Sequence, residues 1–198
     1  MKKLLFVSML LLAIAGAFAQ DIQSPEKYMG YKIGTRYTRH YKVLEYFKAV
    51  AQAKPDMVKL EKYGETNEGR ELVLAFIASP ENLKKLDAIS INNLHLAGLT
   101  GNKAAPVTET APAIVWLSYN VHGNETSSSE AALLTLFALV DPNNAQTKEW
   151  LQNTVVIIDP CINPDGRDRY VNWFNGVVGK EYNPDPSSRE HAEPWPGG

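Results

Sequence analysis

The sequence has little of several features that identify common classes of protein. Its 198 residues include a single cysteine, Cys161, so the chain cannot form a disulfide within itself. Cys161 follows an apolar run, which favours a buried and inert thiol. Basic and acidic residues nearly balance, 20 against 22, and neither a basic stripe nor a glycine-rich phosphate loop occurs. We therefore expect no nucleic-acid partner.

The sequence also lacks an apolar run long enough to cross a membrane. Residues 4–15 are almost unbrokenly apolar, two lysines precede them, and residues 17–19 (Ala-Phe-Ala) fit the small-x-small rule for cleavage. This pattern predicts a signal peptide over residues 1–19. A membrane anchor is the alternative, but a spanning helix needs about 20 apolar residues. We therefore expect an exported protein, periplasmic or extracellular, without stable membrane insertion.

The spacing of apolar residues in the remaining chain, residues 20–198, predicts alternating helices and strands. The predicted helices cover residues 39–53, 80–86 (an extension to residue 96 stays open), 128–140 and 146–151. The predicted strands cover residues 58–63, 72–78, 113–121 and 154–159. The first two strands resemble a hairpin, whereas the last two are continuously apolar, which is typical of buried parallel strands. The predicted fold is α/β, with a mixed, centrally parallel sheet covered by helices on both faces.

The chain changes character after Pro160. Asn163-Pro164-Asp165-Gly166 is a strong turn signal, and little periodicity follows it up to Gly198. Long irregular segments are uncommon in compact domains. We therefore expect the domain to be incomplete at its C-terminus.

One motif stands at the end of a predicted buried strand. His122-Gly123-Asn124-Glu125 follows directly after residues 113–121, and open α/β sheets build their sites at the carboxyl ends of strands. An imidazole and a carboxylate together suit Zn²⁺, and catalytic zinc usually takes three protein ligands and a water molecule. The alternative is a surface turn with a solvated His and a Glu at a helix start, where the helix dipole favours a carboxylate.

Residues 122–125 resemble the first two zinc ligands of the zinc carboxypeptidase family, the carboxypeptidase A and carboxypeptidase E/N superfamily. Two further stretches are similar and stand in the family's order. Residues 63–70, ending in Glu68-Gly69-Arg70, resemble its EGR hairpin, and residues 157–166, ending in Asn-Pro-Asp-Gly, resemble its strand and NPDG turn. The resemblance covers about residues 39–169.

The resemblance implies roles for particular residues. His122 and Glu125 would be metal ligands for Zn²⁺ in a metallocarboxypeptidase, which hydrolyses peptide bonds at the C-terminus of a peptide or protein. Asn124 matches the E/N-type pattern; pancreatic-type members have a substrate-contacting Arg there. The family's third ligand, its Asn-Arg pair and its general-base Glu lie further downstream, beyond Gly198. His191 stands too close to His122 in sequence to be that third ligand, so we expect this chain alone to be inactive.

Other polar residues have weaker assignments. Arg167, Arg169 and Arg189 are candidates for the residue that polarises the scissile carbonyl, but a solvated surface position is the stronger expectation for each. The EGR and NPDG segments are expected to be structural, and His40 and His95 to have no role in catalysis.

Three other functions stay open. An aspartoacylase-type deacylase resembles the same zinc site, although the EGR hairpin and the NPDG turn count against it. A murein peptidase of the same fold would suit an exported bacterial protein. A non-catalytic binding module would keep the fold without the metal. The preferred C-terminal residue and the oligomeric state do not follow from the sequence.

Overall fold

The structure, a computed structural model, describes residues 22–100 and 111–193. The signal peptide predicted for residues 1–19 lies outside this range. Within the range, no helix combines the length and the apolar character that a membrane-spanning segment requires.

Helices and strands alternate along the described residues. The helices are α1 (Pro25–Met29), α2 (His40–Ala53), α3 (Pro80–Leu83), α4 (Leu86–Leu96), α5 (Ser127–Val140), α6 (Ala145–Trp150) and α7 (Pro164–Val177). The strands are β1 (Val58–Glu65), β2 (Glu71–Ile77), β3 (Ala113–Ser118) and β4 (Thr154–Asp159), and a short 3₁₀ helix covers Arg189–His191.

The four strands form one open mixed sheet in the order β1-β2-β4-β3. Strands β1 and β2 pair as an antiparallel hairpin, β2 and β4 are also antiparallel, and β3 and β4 are parallel. The mixed α/β class predicted from the sequence is therefore confirmed. The parallel pair places the carboxyl ends of β3 and β4 at the same edge of the sheet.

Alternate residues of β4 face opposite layers of helices. Val156 and Ile158 belong to the larger core cluster with Phe47 of α2 and Leu133 of α5. Val155 and Ile157 belong to a second cluster, in which α4 contributes Ile89. The predicted cover of helices on both faces is confirmed, and it explains why β4 is continuously apolar.

Strand β3 departs from its predicted buried environment. Trp116 is 58% exposed and Val115 is 42% exposed. The reason is topological, because β3 pairs with β4 on one side and no other described strand pairs with its second side. Sequence hydrophobicity therefore predicted the strand correctly but not its exposure in this chain.

The expectation of an irregular segment after Pro160 was wrong for residues 164–177, which form α7. The Asn163 side chain accepts a hydrogen bond from the Gly166 N–H, and Pro164 occupies the first turn, so the predicted turn is a capped helix start. The buried residues of α7 include Gly166 and Arg167. Because part of its buried face is small or charged, apolar periodicity could not reveal the helix.

His40, the first residue of α2, is buried without a full set of hydrogen bonds. Its ring Nε2 lies 3.3 Å from the Glu71 carbonyl oxygen, and its backbone N–H donates to Asp168 Oδ1 at 3.1 Å. Its Nδ1 is buried without a hydrogen-bond partner. Burial penalises the charged imidazolium and lowers the pKa of His40, although the Glu71 carbonyl and Asp168 oppose this effect.

This lowered pKa predicts a pH-dependent stability. The unfolded chain binds the proton more readily than the folded chain, so the free energy of unfolding falls as the pH drops below about 6.5 toward the folded-state pKa. Replacing His40 with Gln should remove this part of the slope in urea unfolding curves collected across that range. His95→Gln, in α4, serves as the control and should keep it. A wild-type slope in His40→Gln would contradict the prediction.

Candidate metal centre

The loop between β3 and α5 brings the two predicted metal ligands together. His122 Nδ1 lies 3.1 Å from Glu125 Oε1, and the two side chains are 69% and 62% exposed. The Glu125 N–H also donates to the His122 carbonyl oxygen at 3.1 Å, which closes a tight turn. Both side chains therefore face one point at the carboxyl edge of the parallel strands, open to solvent.

The separation of these donor atoms fits a divalent cation between them. Neighbouring ligands of a tetrahedral zinc ion stand about 3.3 Å apart, because each bond is about 2.0 Å long. Among residues 22–100 and 111–193, no third His, Cys, Asp or Glu completes a metal-binding group. His191 instead places Nε2 2.7 Å from the Asn183 carbonyl oxygen. The assignment of His122 and Glu125 as zinc ligands stays a prediction.

Asn120 shapes the loop just before His122. Its backbone has φ 58°, in the left-handed region that Asn tolerates better than most residues. Its Nδ2 donates to the His122 carbonyl oxygen at 2.6 Å, and its N–H donates to Ser128 Oγ at 2.7 Å. The sequence placed Asn120 within the predicted strand of residues 113–121, whereas β3 ends at Ser118, so this role was missed. The only signal was an Asn at the point where the chain must turn.

A fully buried arginine holds Asn120 in place. Arg167 Nη1 donates to Asn120 Oδ1 at 2.8 Å and to the Thr126 carbonyl oxygen at 2.9 Å. Its Nη2 donates to Glu130 Oε1 at 2.9 Å and to the Thr38 carbonyl oxygen at 2.7 Å. The Arg167 side chain has 0% exposure. The guanidinium thus ties both ends of the HGNE loop (residues 120–126) to the segment that precedes α2.

Glu130 completes this network. The spacing of Ser127 and Glu130 at the start of α5 is that of a capping box, but Thr126 occupies the cap position and makes no side-chain capping bond. Glu130 instead accepts hydrogen bonds from the Thr38 N–H at 2.6 Å and from Thr38 Oγ1 at 2.7 Å. A buried carboxylate requires such partners, and the segment before α2 and helix α7 supply them from distant parts of the chain.

The structure separates the three arginines that the sequence could not rank. The expectation of a solvated side chain was wrong for Arg167, which faces the interior, and its donors are used by the network. Arg169 is about half exposed and pairs with Glu68. Arg189 is exposed as well. Arg167 therefore positions the loop and is not available to a substrate carbonyl.

The NPDG segment packs directly against the HGNE loop. A Cβ atom added to Gly123 would lie 2.1 Å from the Gly166 carbonyl carbon and 2.6 Å from the Arg167 nitrogen. Asn163 Nδ2 donates to the Val121 carbonyl oxygen at 3.0 Å. Gly123 is therefore required for this close approach of two backbones, rather than for a positive φ. The expectation that NPDG is structural fits this packing.

The EGR hairpin packs against the other side of the α7 start. Arg70 Nη1 lies 2.7 Å from Asp165 Oδ1, and Arg70 Nε lies 2.8 Å from Asp168 Oδ2. Thr66 Oγ1 also donates to Asp165, at 2.7 Å. Burial would raise the pKa of Asp165, but the hydrogen bonds from Thr66, Arg70 and the Glu68 N–H together lower it. The carboxylate therefore stays ionised at neutral pH.

Cys161 lies behind the loop, at the end of β4. Its side chain is 2% exposed, and Sγ is 3.7 Å from Asn120 Oδ1. Burial raises the pKa of the thiol to about 12, so it stays protonated and is a poor nucleophile or metal ligand. This agrees with the inert thiol that the sequence predicted.

The contact between Gly123 and Gly166 yields a test of the packed motifs. Gly123→Ala forces the two backbones apart, and overpacking of this kind costs about 1–3 kcal/mol of unfolding free energy. Gly176→Ala is the matched control within α7, because nothing lies within 4 Å of the added Cβ; there the same change should stabilise the helix by about 0.5–1 kcal/mol. Urea unfolding measures both, and equal effects at the two positions would contradict the packing argument.

The buried arginine yields a second test. Arg167→Met leaves the buried carboxyl group of Glu130 without its cationic partner, which costs about 3–5 kcal/mol. Arg169→Met, two residues on, removes a half-exposed ion pair with Glu68 and should cost less than about 1 kcal/mol. Chemical denaturation of both variants checks this difference, and a loss below about 1 kcal/mol for Arg167→Met would refute the network's role.

Comparisons with known proteins agree with this architecture. The sequence profile of the zinc carboxypeptidase family matches residues 43–189, well over half of the chain. Among solved structures, thrombin activatable fibrinolysis inhibitor matches with a TM-score of 0.52 at 15% identity, over 77% of this chain and 30% of that one. Carboxypeptidase A from Helicoverpa armigera matches with a TM-score of 0.51 at 21% identity, over 84% of this chain and 32% of that one.

The profile match and the two structural matches support different conclusions. At such identities the two solved structures show a shared fold, and this chain spans about a third of the length of each. The profile match covers residues 43–189 and includes the EGR hairpin, the HGNE loop and the NPDG segment. On this evidence the chain belongs to the zinc carboxypeptidase family.

Proposed function

We propose that this chain is the N-terminal part of an exported zinc metallocarboxypeptidase that removes residues from the C-terminus of peptides or proteins. His122 and Glu125 supply two of its zinc ligands. The observation that carries the proposal is their 3.1 Å separation on an exposed loop, in a member of a zinc carboxypeptidase family. Export rests on the signal-like sequence of residues 1–19.

The residues around the pair suit a catalytic metal. Bound zinc would act as a Lewis acid on a peptide carbonyl and lower the pKa of its bound water. The chain's own contribution is position: Asn120 holds the His122 carbonyl, and Arg167 holds Asn120. Rigid support of this kind matters because metal affinity depends on the orientation of each ligand.

The remaining catalytic groups, on this proposal, lie beyond Gly198. Two observations support it: the apolar strand β3 has an edge that no described strand covers, and the chain spans about a third of the solved structures it resembles. A two-ligand site holds zinc weakly. The 198-residue chain alone would then lack peptidase activity, and a third ligand and a general base would restore it.

Zinc content tests the metal assignment. The protein expressed from its complete coding sequence should contain about one zinc ion per chain, and His122→Ala and Glu125→Ala should each lower zinc affinity by more than about tenfold. His95→Ala is the control and should retain the metal. In the structure, His95 Nδ1 lies 2.9 Å from Thr100 Oγ1. Equilibrium dialysis followed by metal analysis measures all three.

Two outcomes would count against the proposal. Unchanged zinc content in both variants would indicate a non-catalytic binding module. A zinc-loaded protein that cleaves N-acyl amino acids or peptidoglycan fragments, but not peptides with a free C-terminus, would point to the deacylase or the murein peptidase. Amidated peptides separate exopeptidase from endopeptidase action, because they lack the free carboxylate.

A further inference from the structure

A wide cleft separates the segment before α2 from the C-terminal end of α7. Its volume is about 700 Å³, within the range of ligand sites. One wall is formed by residues 29–42 and the other by residues 174–182. None of the residues that form the HGNE loop lines it, so the cleft does not include His122 or Glu125.

All the charged residues that line the cleft are positive. They include four cations and no Asp or Glu; the cations are Arg36, Arg39, Lys42 and Lys180. This concentration stands out because the whole chain is slightly acidic, with a formal net charge of −2. Lys42 pairs with Glu45 at 3.2 Å, but no carboxylate pairs with the other three among the described ion pairs. Three cations in the cleft thus have no acidic partner in the described part of the chain.

Aromatic rings lie beside these cations. The Arg36 guanidinium carbon lies 5.7 Å from the centre of the Tyr31 ring, and Lys42 Nζ lies 5.6 Å from that of Tyr41. The cleft therefore combines positive charge with flat apolar surface, which is typical of sites for anionic ligands that also carry apolar groups.

Contacts across the base of the cleft hold its walls together. The Tyr37 and Phe174 rings are 4.6 Å apart between centres, and Arg39 Nε donates to Asn172 Oδ1 at 3.1 Å. The Tyr31 hydroxyl lies 2.7 Å from Thr38 Oγ1, and Thr38 is the residue that binds Arg167 and Glu130. The wall of the cleft and the HGNE loop thus share one buried network.

We propose that this cleft binds an acidic segment of a polypeptide. Carboxylates match the fork of donors on Arg36 and Arg39, and neighbouring side chains of the segment would pack on the tyrosine rings. A polypeptide is favoured over other polyanions because the family to which the chain belongs consists of peptidases. The choice of a polypeptide rests on the proposed function, but the binding itself does not require the metal ligands, so the two proposals can fail separately.

Fluorescence anisotropy with a labelled short peptide of alternating Glu and Tyr tests this. The peptide carries a C-terminal amide, so it offers no free carboxylate to a carboxypeptidase site. We expect the full-length protein to bind it at low ionic strength, and to bind it more weakly as salt is added. The double variant Arg36→Glu with Lys180→Glu should bind it at least about tenfold more weakly.

The matched control is Lys84→Glu with Lys148→Glu, which changes the net charge equally at exposed positions outside the cleft. It should bind the peptide with unchanged affinity. Because all four substituted side chains are exposed, thermal unfolding should confirm that both double variants fold. If a double variant with Glu does not fold, the corresponding double variant with Ala replaces it in the binding experiment.

Three results would overturn the proposal. The first is that the protein does not bind the acidic peptide at all. The second is that the control double variant weakens peptide binding as much as Arg36→Glu with Lys180→Glu does. The third is that the protein binds a Gln-Tyr peptide of the same length with the same affinity as the Glu-Tyr peptide. Tighter binding of a single-stranded oligonucleotide, with the same dependence on Arg36 and Lys180, would assign the cleft to nucleic acid instead. Retention of peptide binding in His122→Ala would confirm that the cleft acts without the metal centre.

Discussion

The burial of one guanidinium organises the site. Arg167 has 0% exposure, and a charge removed from water must find a counterion and a partner for each donor. Glu130 supplies the charge, while Thr38, Asn120 and Thr126 supply further oxygens. An ion pair of this kind adds little net stability compared with apolar packing, but it fixes which groups meet. Here it fixes the approach of α7 to the strand end where His122 and Glu125 stand.

The three short motifs that mark the sequence meet at the start of α7. The NPDG segment caps this helix through Asn163, its Gly166 backbone contacts Gly123, and Asp165 receives Arg70 of the EGR hairpin. Acidic residues in the first turn of a helix also interact favourably with its dipole. The motifs that look separate in sequence are therefore one packed unit, and two of them support the loop of the third.

Strand β3, in contrast to the tightly packed motifs, leaves much of its apolar surface exposed. Ile114, Val115 and Trp116 are all more than a third exposed, and unpaired apolar edges invite association with other strands. Strand β3 leads into the HGNE loop, so its exposed side and the His122 side chain lie near the same edge of the sheet.

The sequence by itself determined the elements with strong local signals. Apolar periodicity predicted α2, α5 and β4 within a residue or two, because each has a face or a whole surface that must avoid water. The place of His122 and Glu125 at the end of a strand also followed from the sequence, whereas their role as metal ligands rests on the family resemblance and stays a prediction. Helix α7 was not predicted, because Gly166 and Arg167 occupy part of its buried face and give no apolar periodicity.

Tertiary structure alone decided what surrounds the pair. Sequence patterns place Arg and Glu at the surface, because most such residues are there; the burial of Arg167 and Glu130 depends on partners more than 30 residues away along the chain. The exposure of β3 likewise depends on which strands lie beside it. Local physics specifies where helices and strands form, whereas the environment of a charged or polar side chain is set by the distant segments that fold against it.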